Sequence, residues 1–388
     1  MPIHNLTRRA VIANLLRATA SAAIGAPALS AFAQSAFAPQ NQHRGPMFYT
    51  QAFQRQFRVP AMSVAISRNG QFAYDHAGGM ADPQRSIQAQ QDSLFRIADA
   101  SKPITAVTIF SLIESGKLNL TDKVFGPGAI LGTTYGKPPY QNYVADITVD
   151  HLLTHTAGGW AADANDPMLH NNGWDQAKLI SSTIQNVPLT AQPGTQWIYS
   201  NFGYCILGRV IEQVTGQPYA AYVQANILAP CGITGMQIAR NSEHDRAANE
   251  VLYIGQYDEE PYKINITRMD STAGWIASST QLIQFLNHVA GAPNIPALLK
   301  PQTIAAMTTP APAYPAGDAR YARGWMVSSN GAGSWWHSGS LPGSTSLVVR
   351  NPDTSCFAAI CNTRTQPHQE IDTALYGLMW QLAQDISG

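Results

Sequence analysis

The chain is poor in charge. Only 12% of its 388 residues are Asp, Glu, Lys or Arg, and the two signs balance at 24 each. Without a basic surplus there is no electrostatic footprint for a nucleic-acid backbone, so no nucleic-acid partner is expected. Cysteine is scarce too: Cys205, Cys231, Cys356 and Cys361 are the whole set, with no C-x-x-C pair among them. They read as buried small apolar residues, with a Cys205–Cys231 bridge as the alternative. Cys356 and Cys361 lie five apart in a strand-like run and should point to opposite faces. Missing as well are an internal repeat, a low-complexity tract, a G-x-S-x-G elbow and an H-E-x-x-H motif. A coiled coil, a disordered chain and a collagen-like repeat are thereby excluded, and an alpha/beta-hydrolase is disfavoured. His151 and His155 have i, i+4 spacing, but without that motif no metal site is expected.

Acidic residues are absent from the first 74 positions, and Asp75 is the first. Thr7-Arg8-Arg9 precedes a weakly apolar run that Arg17 interrupts, and Ala31-Phe32-Ala33 supplies an A-x-A cleavage pattern. Residues 1–33 therefore read as an export signal of the twin-arginine type, and 34–46 as a polar linker. Residues 47–388 then form the mature domain, periplasmic or secreted and without a membrane span. Removing the three arginines leaves it with an acidic excess of about three charges. With 45% hydrophobic residues it has ample material for a core, and its expected partner is a small-molecule substrate.

Met47 to Phe57 patterns as a helix. Two alternating segments, 61–68 and 71–77, flank Asn69-Gly70, a strong hairpin signal. A helix is predicted from about Ala100 to Ser115, closed by Gly116. Helical patterns follow at 148–156, 201–216, 218–228 and 279–290. Strands return at 323–328, 345–350 and 355–362, and a last helix runs from about 368 to 385. Strands at both ends predict an alpha/beta fold with an antiparallel sheet flanked by helices. The sheet part is assigned to about 47–125 and 320–388, with a helical subdomain inserted at about 126–319 and a cleft at the junction.

Three short segments carry the chemistry: Phe95 to Pro103 (FRIADASKP) at a helix start, Tyr199-Ser200-Asn201 opening an apolar helix, and His337-Ser338-Gly339-Ser340 on a late strand. Their order and spacing resemble the serine beta-lactamase and penicillin-binding-protein superfamily, in its class C, family VIII esterase and D-alanyl-D-alanine carboxypeptidase branches. Residues 147–158 (ITVDHLLTHTAG), 193–216 (PGTQWIYSNFGYCILGRVIEQVTG), Ala273-Gly274 with Ser278-Ser279, and Gly324-Trp325 extend the resemblance over nearly the whole mature chain. The resemblance implies a beta-lactamase-like fold, a lysine that shares proton handling with the nucleophile, and a tyrosine acting as general base or acid. It further implies a cation or donor from the late strand, and a backbone N–H beyond it as half of an oxyanion hole. Those roles fall on Lys102, Tyr199, Asn201, His337, Gly339 and the N–H of Ser340. No metal or organic cofactor is implied.

The nucleophile departs from the pattern. Three residues before Lys102 stands Asp99, and Ser101 is about 100° round the helix, facing elsewhere. Asp99 reads in three ways: as a helix N-cap in a protein that only binds a ligand, as a working carboxylate, or as a deliberate Ser→Asp change. A working carboxylate is either a nucleophile, as in retaining glycosidases, or a general base on water. Glycoside chemistry requires a second carboxyl group, and Asp270 is preferred over the acidic run Asp258, Glu259 and Glu260. The leading expectation is a periplasmic hydrolase or transferase of a small polar ester, amide or glycoside, with Asp99, Lys102 and Tyr199 doing the chemistry. Asn201, His337, Gly339, Ser340 and Asp270 would hold the substrate. The alternative is a silent pseudoenzyme that recognises a peptidoglycan-like fragment. Trp335-Trp336 is expected in the core rather than stacked on a ligand.

Overall fold

A computed structural model describes residues 45–386; the expected export signal and nearly all of the expected linker lie outside the described residues. Helix α1 (Pro46–Phe57) leads into the hairpin β1 (Ala61–Arg68) and β2 (Gln71–Asp82). Asn69 and Gly70 both take positive φ, 50° and 79°, which a two-residue turn matched to strand twist requires. Next come β3 (Ile87–Gln88), β4 (Phe95–Arg96), a 3-10 turn (Ala98–Ser101) and α2 (Lys102–Glu114). The middle of the chain contributes α3 (Val149–Leu153), α4 (Gln176–Asn186), α5 (Asn201–Thr215), α6 (Tyr219–Val223), β5 (Gln237–Ile238), β6 (Trp275–Ala277), α7 (Ser279–Ala290) and α8 (Pro301–Thr308). The chain closes with β7 (Ala319–Tyr321), β8 (Met326–Ser328), β9 (Trp335–Leu341), β10 (Ser344–Arg350), β11 (Cys356–Cys361) and α9 (Gln369–Asp385).

Both ends of the chain meet in one antiparallel sheet, ordered β3-β2-β1-β11-β10-β9-β8-β7. Its central strands are covered on both faces, and side-chain alternation divides the core. Met62, Val64 and Ile66 pack with Phe53 of α1 and Leu375 of α9, whereas Ala61 and Ala65 face the helical layer. Ser63 and Ser67 share that second face and bond there to Ser279 and Asn287 of α7, each at 2.7 Å. Cys356 and Cys361 fall in different halves of the core, as their five-residue spacing requires. Trp335 and Trp336 divide the same way, both buried.

Local signals explain most boundaries. Ser200 caps α5 by accepting the Gly203 N–H at 3.1 Å, and Gly216 ends it at φ 69°. Ser278 and Gln281 form a reciprocal capping box on α7. Elsewhere the structure corrects the sequence pattern. The 148–156 segment yields only α3, because His155 takes φ 58° and breaks the helix. His151 and His155 therefore do not share a helix face; His151 Nδ1 instead accepts the Thr148 N–H in the α3 capping box. A second sheet, ordered β4-β6-β5, has strands of two or three residues, too short to register as periodicity. Helices α4 and α8 and strand β7 were likewise unanticipated.

All four cysteines are free and buried. Burial pushes the thiols of Cys205, Cys231 and Cys356 up to about 12. A thiol reagent should therefore label none of them until denaturant is added, and reductant should leave Tm unchanged. A reductant-sensitive Tm would instead restore the Cys205–Cys231 bridge.

Candidate active site

Asp99 is presented by a strained turn. Ala98, a residue with a Cβ, takes φ 47°, in the left-handed region that side chains avoid. The turn lies tight against β9: a Cβ on Gly339 would come within 2.3 Å of the Ile97 carbonyl and 2.9 Å of the Asp99 nitrogen. Glycine at 339 is thus the condition for bringing the Ser340 N–H to the turn. Strand β8 helps by stopping short, since it pairs with β9 only at Trp335 and Trp336.

The three motifs converge here through Asp99, Lys102, Tyr199, Asn201 and the Ser340 N–H. Asp99 Oδ1 accepts from Lys102 Nζ at 2.5 Å and from the Tyr199 hydroxyl at 3.1 Å, and Oδ2 accepts from the Ser340 N–H at 3.3 Å. Neither oxygen is used to cap α2, which has no side-chain cap. The N-cap reading of Asp99 is therefore set aside. Ser101 is buried and its hydroxyl accepts the Trp275 N–H, away from the site. The Lys102 side chain is 0% exposed and that of Asp99 17%, so the carboxylate fronts the cleft and the ammonium stands behind it.

Electrostatics follow from that burial. Desolvation pushes the Asp99 carboxyl up, but the Lys102 charge and the bonds from Lys102 and Ser340 outweigh it and hold it below the usual carboxylate range. Burial pulls Lys102 down, partly offset by the charge of Asp99. Tyr199 is raised well above its ordinary value, first by burial and then by Asp99, and stays a neutral donor.

The amide of Asn201 is engaged on both sides within the protein. Its Oδ1 accepts from Lys102 at 2.7 Å and its Nδ2 donates to Asp166 Oδ2 at 2.7 Å. His337 is no cation. Its Nδ1–H donates to the Ser338 carbonyl at 2.6 Å, leaving Nε2 to accept from the Tyr321 hydroxyl at 3.4 Å. Burial lowers it to about 4, so the positive charge beside Asp99 comes from Lys102 and not from this ring. Asp270 is not brought to the cluster. Arg209 pairs with its Oδ2 at 2.7 Å, while Gln176 and the Ser271 N–H occupy Oδ1. In the acidic run, Glu259 pairs with Arg364 at 2.5 Å and Glu260 with Lys263. Sequence reasoning missed Asp166 and Tyr321. Asn165-Asp166-Pro167 reads as a turn, and nothing in it points to a site 35 residues away at Asn201.

The family model described as Beta-lactamase matches residues 49–378. Esterase EstB of Burkholderia gladioli is 32% identical over 200 residues, covering 48% of this chain and 48% of the relative. Penicillin-binding protein 4* of Bacillus subtilis (strain 168) is 31% identical over 233 residues, covering 56% of this chain and 46% of the relative. The chain spans about half the length of these curated relatives. Among solved structures, the octameric penicillin-binding protein homologue from Pyrococcus abyssi superposes with a TM-score of 0.68 at 23% identity, over 86% of this chain and 76% of that one. At that identity the likeness is one of fold.

The histidine gives a pH test. Its folded pKa lies below its unfolded value of 6.5, so as pH falls from 6.5 toward 4 the unfolded chain takes up a proton that the folded site refuses. Native protein should lose stability relative to His337→Asn across that window. Asp372, buried and raised to about 8, changes stability in the opposite sense, and the comparison cancels it. Denaturant unfolding of both proteins at several pH values measures the difference, and parallel curves would refute the neutral buried histidine.

Proposed function

The chain belongs to the beta-lactamase family, and from that premise we propose that it is a hydrolase of small polar esters or amides in which Asp99 acts as general base on water. The observation that carries this reading is the Asp99 carboxylate: ionised, partly exposed, and bonded to Lys102 and Tyr199 on one oxygen and to the Ser340 N–H on the other. A water against Asp99 gives it a proton as its oxygen bonds to the substrate carbonyl carbon. The carbonyl oxygen, gaining negative charge, takes over the Ser340 N–H, which a protonated Asp99 holds less strongly. The tetrahedral adduct then expels its leaving group, which takes a proton from Tyr199, and the proton on Asp99 returns to the phenolate. No bond forms between enzyme and substrate.

Glycoside chemistry is less well supported. Asp270 is bound to Arg209, Glu259 is paired with Arg364, and Asp166 and Asp372 are buried, so none of these carboxyl groups fits the role of acid/base. One observation favours the silent alternative: Asp99 Oδ2 already occupies the Ser340 N–H where a substrate oxygen would sit.

A panel of chromogenic esters, beta-lactams and aryl glycosides tests native protein against Asp99→Ala and Asp99→Ser. The hydrolase reading expects ester or amide turnover, reduced by on the order of 10²–10⁴ in Asp99→Ala. In ¹⁸O-water, single-turnover label should enter the product and not Asp99; label in Asp99 would indicate a nucleophile. An inert native protein, with esterase activity appearing in Asp99→Ser, selects the silent reading.

Export is also part of the proposal, supported by Thr7-Arg8-Arg9 and Ala31-Phe32-Ala33. N-terminal sequencing of protein recovered from a periplasmic fraction should begin at Gln34, and uncleaved protein confined to the cytoplasm would oppose it.

A further inference from the structure

Lys102 has no exposed surface, and two side-chain acceptors meet its ammonium: Asp99 Oδ1 at 2.5 Å and Asn201 Oδ1 at 2.7 Å. A carboxamide presents an oxygen or an NH₂ in nearly the same shape, and only the oxygen suits an ammonium. What decides the orientation lies on the far side of the amide. Asn201 Nδ2 donates to Asp166 Oδ2 at 2.7 Å, and a carboxylate can only accept. The other oxygen of Asp166 takes the Met168 N–H at 2.9 Å. Asp166 is itself fully buried, which raises its carboxyl, while the bonds from Asn201 and Met168 and the charge of Lys102 favour the ionised form. Arg268 braces the same loop through the carbonyls of Met168, His170, Asn171 and Trp174.

We propose that Asp166 is a positioning residue that fixes the amide of Asn201, so that the amide oxygen holds the Lys102 ammonium on Asp99. The result is a relay of alternating polarity, carboxylate to amide to ammonium to carboxylate, with only Asp99 at the cleft. The other groups facing Lys102 are the Thr272 carbonyl, which accepts from it at 3.4 Å, the rings of Tyr199 at 4.9 Å and Tyr204 at 5.7 Å, and His155 and His337. Burial keeps both histidines neutral, so the anions acting on Lys102 are Asp99 at bonding distance and Asp166, whose charge Lys102 feels from beyond the amide.

The consequence for turnover rests on the hydrolytic reading; a titration of Lys102 does not. The full chain, labelled with ¹³C at lysine Cε and assigned through Lys102→Met, is titrated by NMR. Asp166→Asn keeps an acceptor for Met168 and should lower the Lys102 midpoint by about one unit. In an Asn201→Leu background the same substitution should lose at least half of that effect. If Asp166→Asn does not fold, Asp166→Ser retains the cap without reaching Asn201 and should shift the midpoint the same way. An unmoved midpoint overturns the proposal. So does a shift fully retained without Asn201, which would mean charge acting through space. Should native protein hydrolyse esters, Asp166→Asn should lower kcat with KM held. An inert native protein would reject the hydrolase reading and leave the titration result standing.

Discussion

A lysine ammonium with no exposure to water is the constraint on which the site is organised. An isolated buried charge is costly enough that the group either loses its proton or acquires a counter-ion. Lys102 has its counter-ion three residues back, in Asp99. Removing one partner of a buried pair typically costs about 3–5 kcal/mol, because the other is left uncompensated. A serine at 99 would offer the ammonium only a neutral hydroxyl. The aspartate thus gives the buried ammonium a charged partner that opposes the pull of burial on its proton.

The rest of the structure serves the placement of that pair. Ala98 in a left-handed conformation turns Asp99 out of the line of α2, and a residue so placed costs on the order of 1–3 kcal/mol unless its surroundings enforce it. Gly339 provides the enforcement by letting β9 close on the turn. The sheet supports β9 from one side through β10, while the early end of β8 leaves the edge at Ser340 free to meet a carboxylate. Two distant parts of the chain complete the site: Tyr199 and Asn201 at the start of α5, and Asp166 on the loop before α4.

Polarity in the site is arranged in layers. Asp99 fronts the cleft; Lys102 backs it, and Asn201 and Asp166 back Lys102. His337, at the position where the resemblance implied a cation or donor, is folded onto Ser338 and Tyr321 as a neutral ring. At the Ser340 end stands a second ion pair, Arg364 with Glu259, whose guanidinium donates to the Ser340 hydroxyl at 3.4 Å.

Much of this was legible in the sequence. Asn69-Gly70 specified its hairpin, because only a turn with two positive φ angles matches the twist of the flanking strands. The alternation in β1 and β11 placed Cys356 and Cys361 on opposite faces, and motif order named Asp99, Lys102, Tyr199, Asn201 and Ser340 as neighbours. The short strands of the second sheet gave no periodic signal, whereas α2, buried nearly all round and without an amphipathic stripe, was still legible between its motif start and Gly116. Side-chain commitments were not legible at all. Asp270 and Asp166 are both aspartates in loop-like sequence; one is tied to Arg209 and the other to Asn201, and composition cannot tell them apart. The linear chain determined which residue types were present and how local backbone would turn. Which carboxylate stands beside which cation depends on contacts across 35 to 241 residues, and those exist only once the sheet has joined the two ends of the chain.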